Sequence, residues 1–562
     1  METIKYTQGA SHNTGPYGTG GLRPSKYTQG ASHNTGPCRT GGLCPSKYER
    51  KAERWGIWEI AIKGPSEGNP FTEQHVSVEF GSKNEKKCVD GFYDGEGVYK
   101  VRFMPSFEER YEFRLTSSFG VEEQGEFEVS EPSEGNHGPV RVAGTYHFAY
   151  EDGTPYYSIG TTCYVWELQT DERIQETLAS LKEARFNKIR FCIFPKHYAY
   201  NFENPRSFPY EGRPMDCKVL TDDNFHEYTE LSEGNKWDFD RFNPKHFAHI
   251  EKCIEELGYL GIEADLIVMH PYDRWGFSCM TKEQDALYWK YVAARFSAYR
   301  NVWWSLANEY DLLKHKTLDD WEGYAKILCD KDPYNHLRSI HNCHGFYDYN
   351  RPWVTHCSIQ RQEPYLSAEY VTKWRETYKK PIVLDEICYE GNLQFGWGNI
   401  SGKELLRRFW ECSVRGGYAG HGETFLDPEE NPALTEGGLS QKVLWWSHGG
   451  RLKGESWKRF GFLYDILCET PGHGLAPYDL KWDCVCGVPE DEWMCKVKSY
   501  YLIYYGFTIP IFKEFYFDDT TEFEAEVIDT WNMTIEKIGT VKGKFKIPLP
   551  GREYMAVRLR KC

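Results

Sequence analysis

Hydrophobic and polar positions alternate along this chain in two rhythms, and the change of rhythm marks its parts. From Glu49 to about Ser130 the period is two. Val98-Tyr-Lys-Val-Arg-Phe103, Tyr111-Glu-Phe-Arg-Leu115 and Phe127-Glu-Val129 each put apolar side chains on one face. Gly and Pro punctuate these runs, so residues 49–134 predict a small antiparallel β-sandwich. SEPSEGNHGP (Ser130–Pro139) reads as a linker.

Over residues 145–476 short continuous apolar runs alternate with longer helical patterns. The predicted strands are Tyr156–Thr161, Asn187–Phe194, Gly261–His270, Val302–Asn308, Leu337–His341, Trp353–Cys357, Pro381–Glu386 and Gly417–Glu423. Eight strands, each followed by a helix or loop, predict a (β/α)₈ barrel. An open doubly wound sheet is the alternative, but no glycine-rich dinucleotide or P-loop motif follows a strand. After residue 477 period two returns in Glu522–Val527, Lys544–Leu549 and Tyr554–Leu559, predicting a C-terminal antiparallel β domain. The expected fold is therefore α/β: a TIM barrel flanked by an N-terminal β-sandwich and a C-terminal β domain.

The first 48 residues follow neither rhythm. Lys5–Ser25 and Lys26–Ser46 are near-identical 21-residue copies that differ only at Tyr17/Cys38, Gly18/Arg39 and Arg23/Cys44. They are rich in Gly, Thr, Ser and Asn and nearly free of aliphatics, so they predict a disordered duplicated tail. No apolar core follows a basic start there and no run reaches a membrane span, which points to a cytoplasmic protein with no membrane partner.

Composition narrows the chemistry. A net charge of −16 argues against nucleic acid and anionic membrane surfaces. Aromatic residues reach 16%, which suits large cores and flat, polar-tipped rings for sugars. The 18 cysteines include widely spaced, strand-embedded ones (Cys163, Cys192, Cys357, Cys388), which read as reduced buried thiols. Cys484, Cys486 and Cys495, with Cys468 and His473 upstream, do not match a zinc spacing, so neither metal nor other cofactor is expected.

Catalytic groups of a barrel cluster at the C-terminal ends of its strands. Strand four, NVWWSLANEYD, delivers Asn308-Glu309; strand seven, PIVLDE, delivers Glu386. Two carboxyls across one pocket are what glycosidic cleavage needs: one protonated for the leaving oxygen, one ionised at the anomeric carbon. The dipeptide alone means little, since Asn84-Glu85 also occurs, in the polar stretch GSKNEKK, where it reads as a solvated turn. Its place after an apolar strand, opposite a second strand-terminal Glu, carries the reading.

WSLANEYD followed by PIVLDE resembles the retaining glycoside hydrolases of clan A. More closely, PYYSIGTTCYVWEL, FNKIRFCIFP, HPYDRW and GYAGHGETF are similar to the apiosidase-like barrels, which carry N- and C-terminal β domains. The resemblance implies Glu309 as acid/base and Glu386 as nucleophile. It further implies Asn308 on the sugar 2-hydroxyl, Arg190 hydrogen-bonded to the nucleophile and His270 against substrate. His341 and His356 also end predicted strands, and His356 stands where the clan often has a Tyr touching the nucleophile. Tyr310 and Tyr389 are other candidates for that contact. Glu423, ending strand eight, would bind sugar hydroxyls or replace Glu386 in an inverting arrangement. The clan's strand-eight Trp is absent, leaving Trp166 and Trp275 as stacking platforms ahead of the later Trp445 and Trp446.

The expected function is hydrolysis of a plant or microbial oligosaccharide or other glycoside. The alternatives are a metal-dependent sugar isomerase or lyase barrel using His270, His341, His356 and Glu309, and a non-catalytic carbohydrate-binding protein.

Overall fold

The computed structural model describes residues 48, 50–216, 220, 223–361, 363, 368–426, 444–480 and 484–562, with the backbone of 3–5 and 47. Most of the duplicated tail, residues 6–46, lies outside the described residues. Of the segment expected to be unstructured, Thr3–Lys5 is a strand paired antiparallel with Thr534–Lys542.

The period-two segment folds into two packed antiparallel-rich sheets. One holds Trp58–Lys63 and Val98–Phe103; the other holds Val76–Gly81, Arg110–Ser117 and Glu122–Ser130. Alternation decides which residues meet. Trp58 stacks on Phe127 at 4.7 Å and Phe80 on Phe103 at 4.0 Å, while Glu79, Glu126 and Glu128 face outward. Glu85 departs from the expected solvated turn: it is buried, accepts from the Tyr111 hydroxyl at 2.6 Å and pairs with Lys87 at 2.5 Å.

The barrel strands are Ile159–Thr162, Lys188–Cys192, Glu263–Met269, Val302–Ala307, Arg338–Ser339, Cys357–Gln360, Ile382–Glu386 and Tyr418–His421. They form one parallel sheet whose edge strands, the fifth and sixth, meet through a bridge between His341 and Ser358. The nearly closed (β/α)₈ barrel is thus the observed centre of the fold. Its helices start on side-chain caps: Thr170, Thr281 and Thr317 each accept a backbone N–H of the first turn. Residues 340–356, between strands five and six, contain no helix.

The barrel interior is polar as well as packed. Lys188 Nζ lies 2.8 Å from Asp265 and 2.7 Å from Asp385, and the Ser358 hydroxyl donates to Asp385 at 2.5 Å. A small sheet of Val140–Ala143, His147–Tyr150 and Pro155–Tyr156 closes the bottom. Its Phe148 packs on Trp303, His356 and Tyr418, which stand at the N-terminal ends of strands four, six and eight.

The C-terminal sheet is antiparallel and already includes Leu475–Pro477. Its Tyr504 stacks on Trp410 of the barrel helix Gly402–Val414. Every cysteine among the described residues is a free thiol. No helix among them is long and apolar enough to cross a membrane.

The sandwich is bolted to the barrel by buried charge. Glu251 of the barrel receives Arg295 through two bonds of 2.6 and 2.9 Å, and Arg102 of the sandwich at 3.1 Å. Burial alone would raise the Glu251 pKa, but the two guanidiniums outweigh it and bring it to about 2. Glu251→Gln leaves two buried guanidiniums short of counter-charge. It is expected to cost about 3–5 kcal/mol, read as a lower urea midpoint than wild type.

Candidate active site

Strand four is buried at every position, so its apolar half is rigid and its end is well placed. The chain then turns sharply. Glu309 adopts φ +49°, ψ +57°, a left-handed conformation rare outside Gly, Asn and Asp. Packing on both sides enforces it: Asn308 N–H donates to Met269 O at 2.9 Å and Tyr310 N–H to His341 O at 2.9 Å. The turn sets the Glu309 carboxyl among three donors. These are the Tyr272 hydroxyl, Asn308 Nδ2 at 3.2 Å and the Cys343 thiol. Burial and the Glu309 charge push the Cys343 thiol pKa up.

Glu386 ends strand seven, with its carboxyl bound by the Tyr164 hydroxyl and by Arg190 Nη1 at 3.3 Å. Tyr164 also reaches Asn308 Oδ1 at 3.4 Å. Two side chains therefore connect the carboxyls: Glu386 to Tyr164, Tyr164 to Asn308, Asn308 to Glu309. Burial, then the charge of Glu309, raise Glu386 to about 7, against the opposing pull of Arg190, Tyr164 and Lys196.

The other expected site residues divide sharply. Asn308 and Arg190 stand at the pair. His270 does not offer a ring nitrogen: Nε2 lies 3.2 Å from Phe194 O, and Nδ1 accepts Tyr272 N–H at 3.2 Å. Its pKa falls to about 3, chiefly by burial. His341 faces the barrel interior with both ring nitrogens unpartnered and buried. His356 is misplaced in the sequence reading: it precedes strand six and packs at the barrel floor on Phe148 and Trp303. These three histidines and Glu309 therefore do not assemble into a ligand set for a metal-dependent isomerase.

Tyr310 packs edge-on against Tyr347 rather than on Glu386, whereas Tyr389 faces Glu386 and Tyr164. Glu423 does not reach for sugar. One of its oxygens accepts Lys453 N–H and the other accepts Gly454 N–H at 2.8 Å, tying down the loop before helix Trp457–Cys468.

Trp166 and Trp275 are not platforms. Both are core residues, 0% and 1% exposed; Trp166 packs on Phe191 outside the barrel wall and Trp275 on Phe208 and Phe277. The rings at the mouth are instead Tyr164, Tyr198, Tyr272, Trp397 and Trp446. Tyr164 and Tyr272 lie inside the stretches CYVWEL and HPYDRW, but single-residue identity gave no sign of their partners.

A family model described as apiosidase-like, catalytic domain, matches residues 143–424. Two families of unknown function match the flanks, at 51–118 and 482–560. A candidate glycoside hydrolase from Bacteroides vulgatus ATCC 8482 is 36% identical, covering 92% of this chain and 100% of its own, with TM-score 0.81. A family 5 glycoside hydrolase from the same organism is 15% identical over 75% of this chain and 93% of its own, TM-score 0.55. Another glycoside hydrolase is 15% identical over 76% and 97%, TM-score 0.52. The last two share the fold. Among curated proteins none matches.

Fold and relatives together define a (β/α)₈ glycoside hydrolase acting on carbohydrate. The chain belongs to the apiosidase-like family.

Tyr164→Phe removes a donor to Glu386 and so makes its anion less favourable. The acid limb of the pH profile of kcat/KM is expected to rise by roughly one pH unit. Trp166→Ala is expected to cost about 3–5 kcal/mol of stability as a core truncation, with KM unchanged in the folded enzyme.

Proposed function

We propose that the enzyme cleaves the glycosidic bond of a plant or microbial oligosaccharide by a retaining two-carboxylate mechanism. The observation that carries it is the two-residue bridge between Glu386 and Glu309 together with their unequal surroundings. Glu386 is faced by the cations Arg190 and Lys196 and by the Tyr164 hydroxyl, all of which favour its anion. The hydrogen bonds to Glu309 come from neutral donors, Tyr272, Asn308 and Cys343, and none from a cation like Arg190. We therefore assign Glu386 as the nucleophile and Glu309 as the acid/base.

In the first step the Glu386 carboxylate attacks the anomeric carbon as its bond to the leaving oxygen breaks. Glu309 gives its proton to that oxygen. A covalent glycosyl-enzyme results. Water then attacks the same carbon, Glu309 takes the proton back from it, and Glu386 leaves with its electron pair. Asn308, fixed between Tyr164 and Glu309, is positioned for the sugar 2-hydroxyl, a contact that strengthens as positive charge develops at the anomeric carbon.

Glu309→Ala is expected to lose roughly 10²–10⁴ in kcat/KM on an unactivated glycoside and far less on an aryl glycoside whose leaving group needs no acid. Glu386→Ala is expected to be inactive on both and to form a glycosyl azide when azide is added. Full activity in both variants, or an inverted product anomer by NMR, defeats the assignment. The pair also fixes a pH signature. In Glu309→Gln no like charge faces Glu386, and no acid remains to be titrated. On the aryl glycoside the acid limb is therefore expected to move to lower pH, checked by kcat/KM against pH.

A further inference from the structure

Lys196 follows barrel strand two in Ile193-Phe-Pro-Lys196 and is 2% exposed. Its Nζ is screened from solvent and has no hydrogen-bond partner. It lies instead over four aromatic faces: 3.6 Å from the Tyr164 centroid, 3.9 Å from Trp446, 4.5 Å from Tyr272 and 5.5 Å from Tyr198. Two of these rings are the ones whose hydroxyls donate to Glu386 and Glu309.

A buried ammonium without an acceptor is costly, and cation–π attraction is strongest when the cation is desolvated. The cage therefore holds a charge that no anion neutralises. Burial pulls the Lys196 pKa to about 8 while Cys192, Glu386 and Glu309 hold it up and Arg190 opposes, so the group is charged at neutral pH. His270 and His448 also face it, and its charge disfavours their protonation.

We propose that Lys196 is a positioning residue of the catalytic pair: clamped between the tyrosines that hold Glu386 and Glu309, its ammonium gives a positive field to both carboxyls. It does so without occupying the lone pairs they need to attack carbon and to carry a proton. A direct lysine–carboxylate bond would give the same field and block one lobe. Because Nζ is screened, the residue acts through its neighbours and not by touching sugar. This rests on the reading of Glu309 and Glu386 as the catalytic pair.

The test is the pH dependence of kcat and kcat/KM on an unactivated glycoside for Lys196→Met and Lys196→Arg, beside Glu309→Ala and Glu386→Ala. Lys196→Met keeps the stem and loses the charge. It is expected to keep KM, lose kcat, and move both limbs of the profile to higher pH; Lys196→Arg is expected to restore the limbs. A Met variant with wild-type limbs, or one whose loss lies wholly in KM, overturns the proposal. A neutral side chain relieves a desolvation penalty, so the Met variant or the equally neutral Lys196→Gln must fold; failure of both overturns it too. Inactive Glu variants with an unmoved Met profile defeat the role of Lys196 alone. Fully active Glu variants defeat the pair, and this role with it.

Discussion

Mutual repulsion between two buried carboxyls organises this molecule. Glu309 and Glu386 lie buried in one mouth, where burial and the charge of Glu309 raise the Glu386 pKa to about 7. Their surroundings differ: Arg190 and Tyr164 bind Glu386, whereas Glu309 takes its hydrogen bonds from Tyr272, Asn308 and Cys343. Holding both sets in place with little freedom is the task of the barrel.

The scaffold meets it by burying polarity on purpose. Lys188 between Asp265 and Asp385, with Ser358 on Asp385, places a hydrogen-bonded network in the barrel below the mouth. Asp385 immediately precedes Glu386, so the network fixes the backbone that carries the carboxyl. On the opposite wall, the left-handed turn at Glu309 is maintained by backbone bonds from strands three and five. The flanking β domains add rigidity from outside, through the Arg102–Glu251–Arg295 cluster on one side and Tyr504 on Trp410 on the other. Phe148 seals the end away from the chemistry.

Much of this was legible in the sequence, for identifiable reasons. A strand buried on both faces is a continuous apolar run, so VWWSLA and PIVL could be seen, and a polar residue at the end of such a run had to be Asn308-Glu309 or Glu386. The same logic failed at strand six. The apolar run 353–357 reaches the strand only at its last residue, and the strand itself, Cys357–Gln360, carries Ser358 toward the polar barrel interior, so His356 was assigned to the wrong end. Trp166 and Trp275 failed differently, because a sequence shows an aromatic ring without showing which side of the wall it packs on. Glu423 had the right position at a strand end, but its partners are backbone amides of a loop about thirty residues later, which no local pattern encodes. Tyr164, Tyr272 and Lys196 were invisible for the same reason: their relation exists only where three separate βα connections meet.

The high aromatic content takes on a different meaning in this light. Rings at a glycosidase mouth are readily taken as stacking surfaces for sugar, yet here Tyr164 and Tyr272 have both their ends engaged by the protein. Each offers a hydroxyl to one carboxyl and a face to the same cation. A phenol can do both because its O–H lies in the ring plane while its negative potential lies above it. No aliphatic or simple polar side chain combines the two. The aromatic residues therefore serve first as electrostatic connectors, carrying one buried charge to two sites at once, and this is a constraint on identity stronger than shape alone. Phenylalanine would keep the cage and release the carboxyl, and any smaller residue would lose the cation as well.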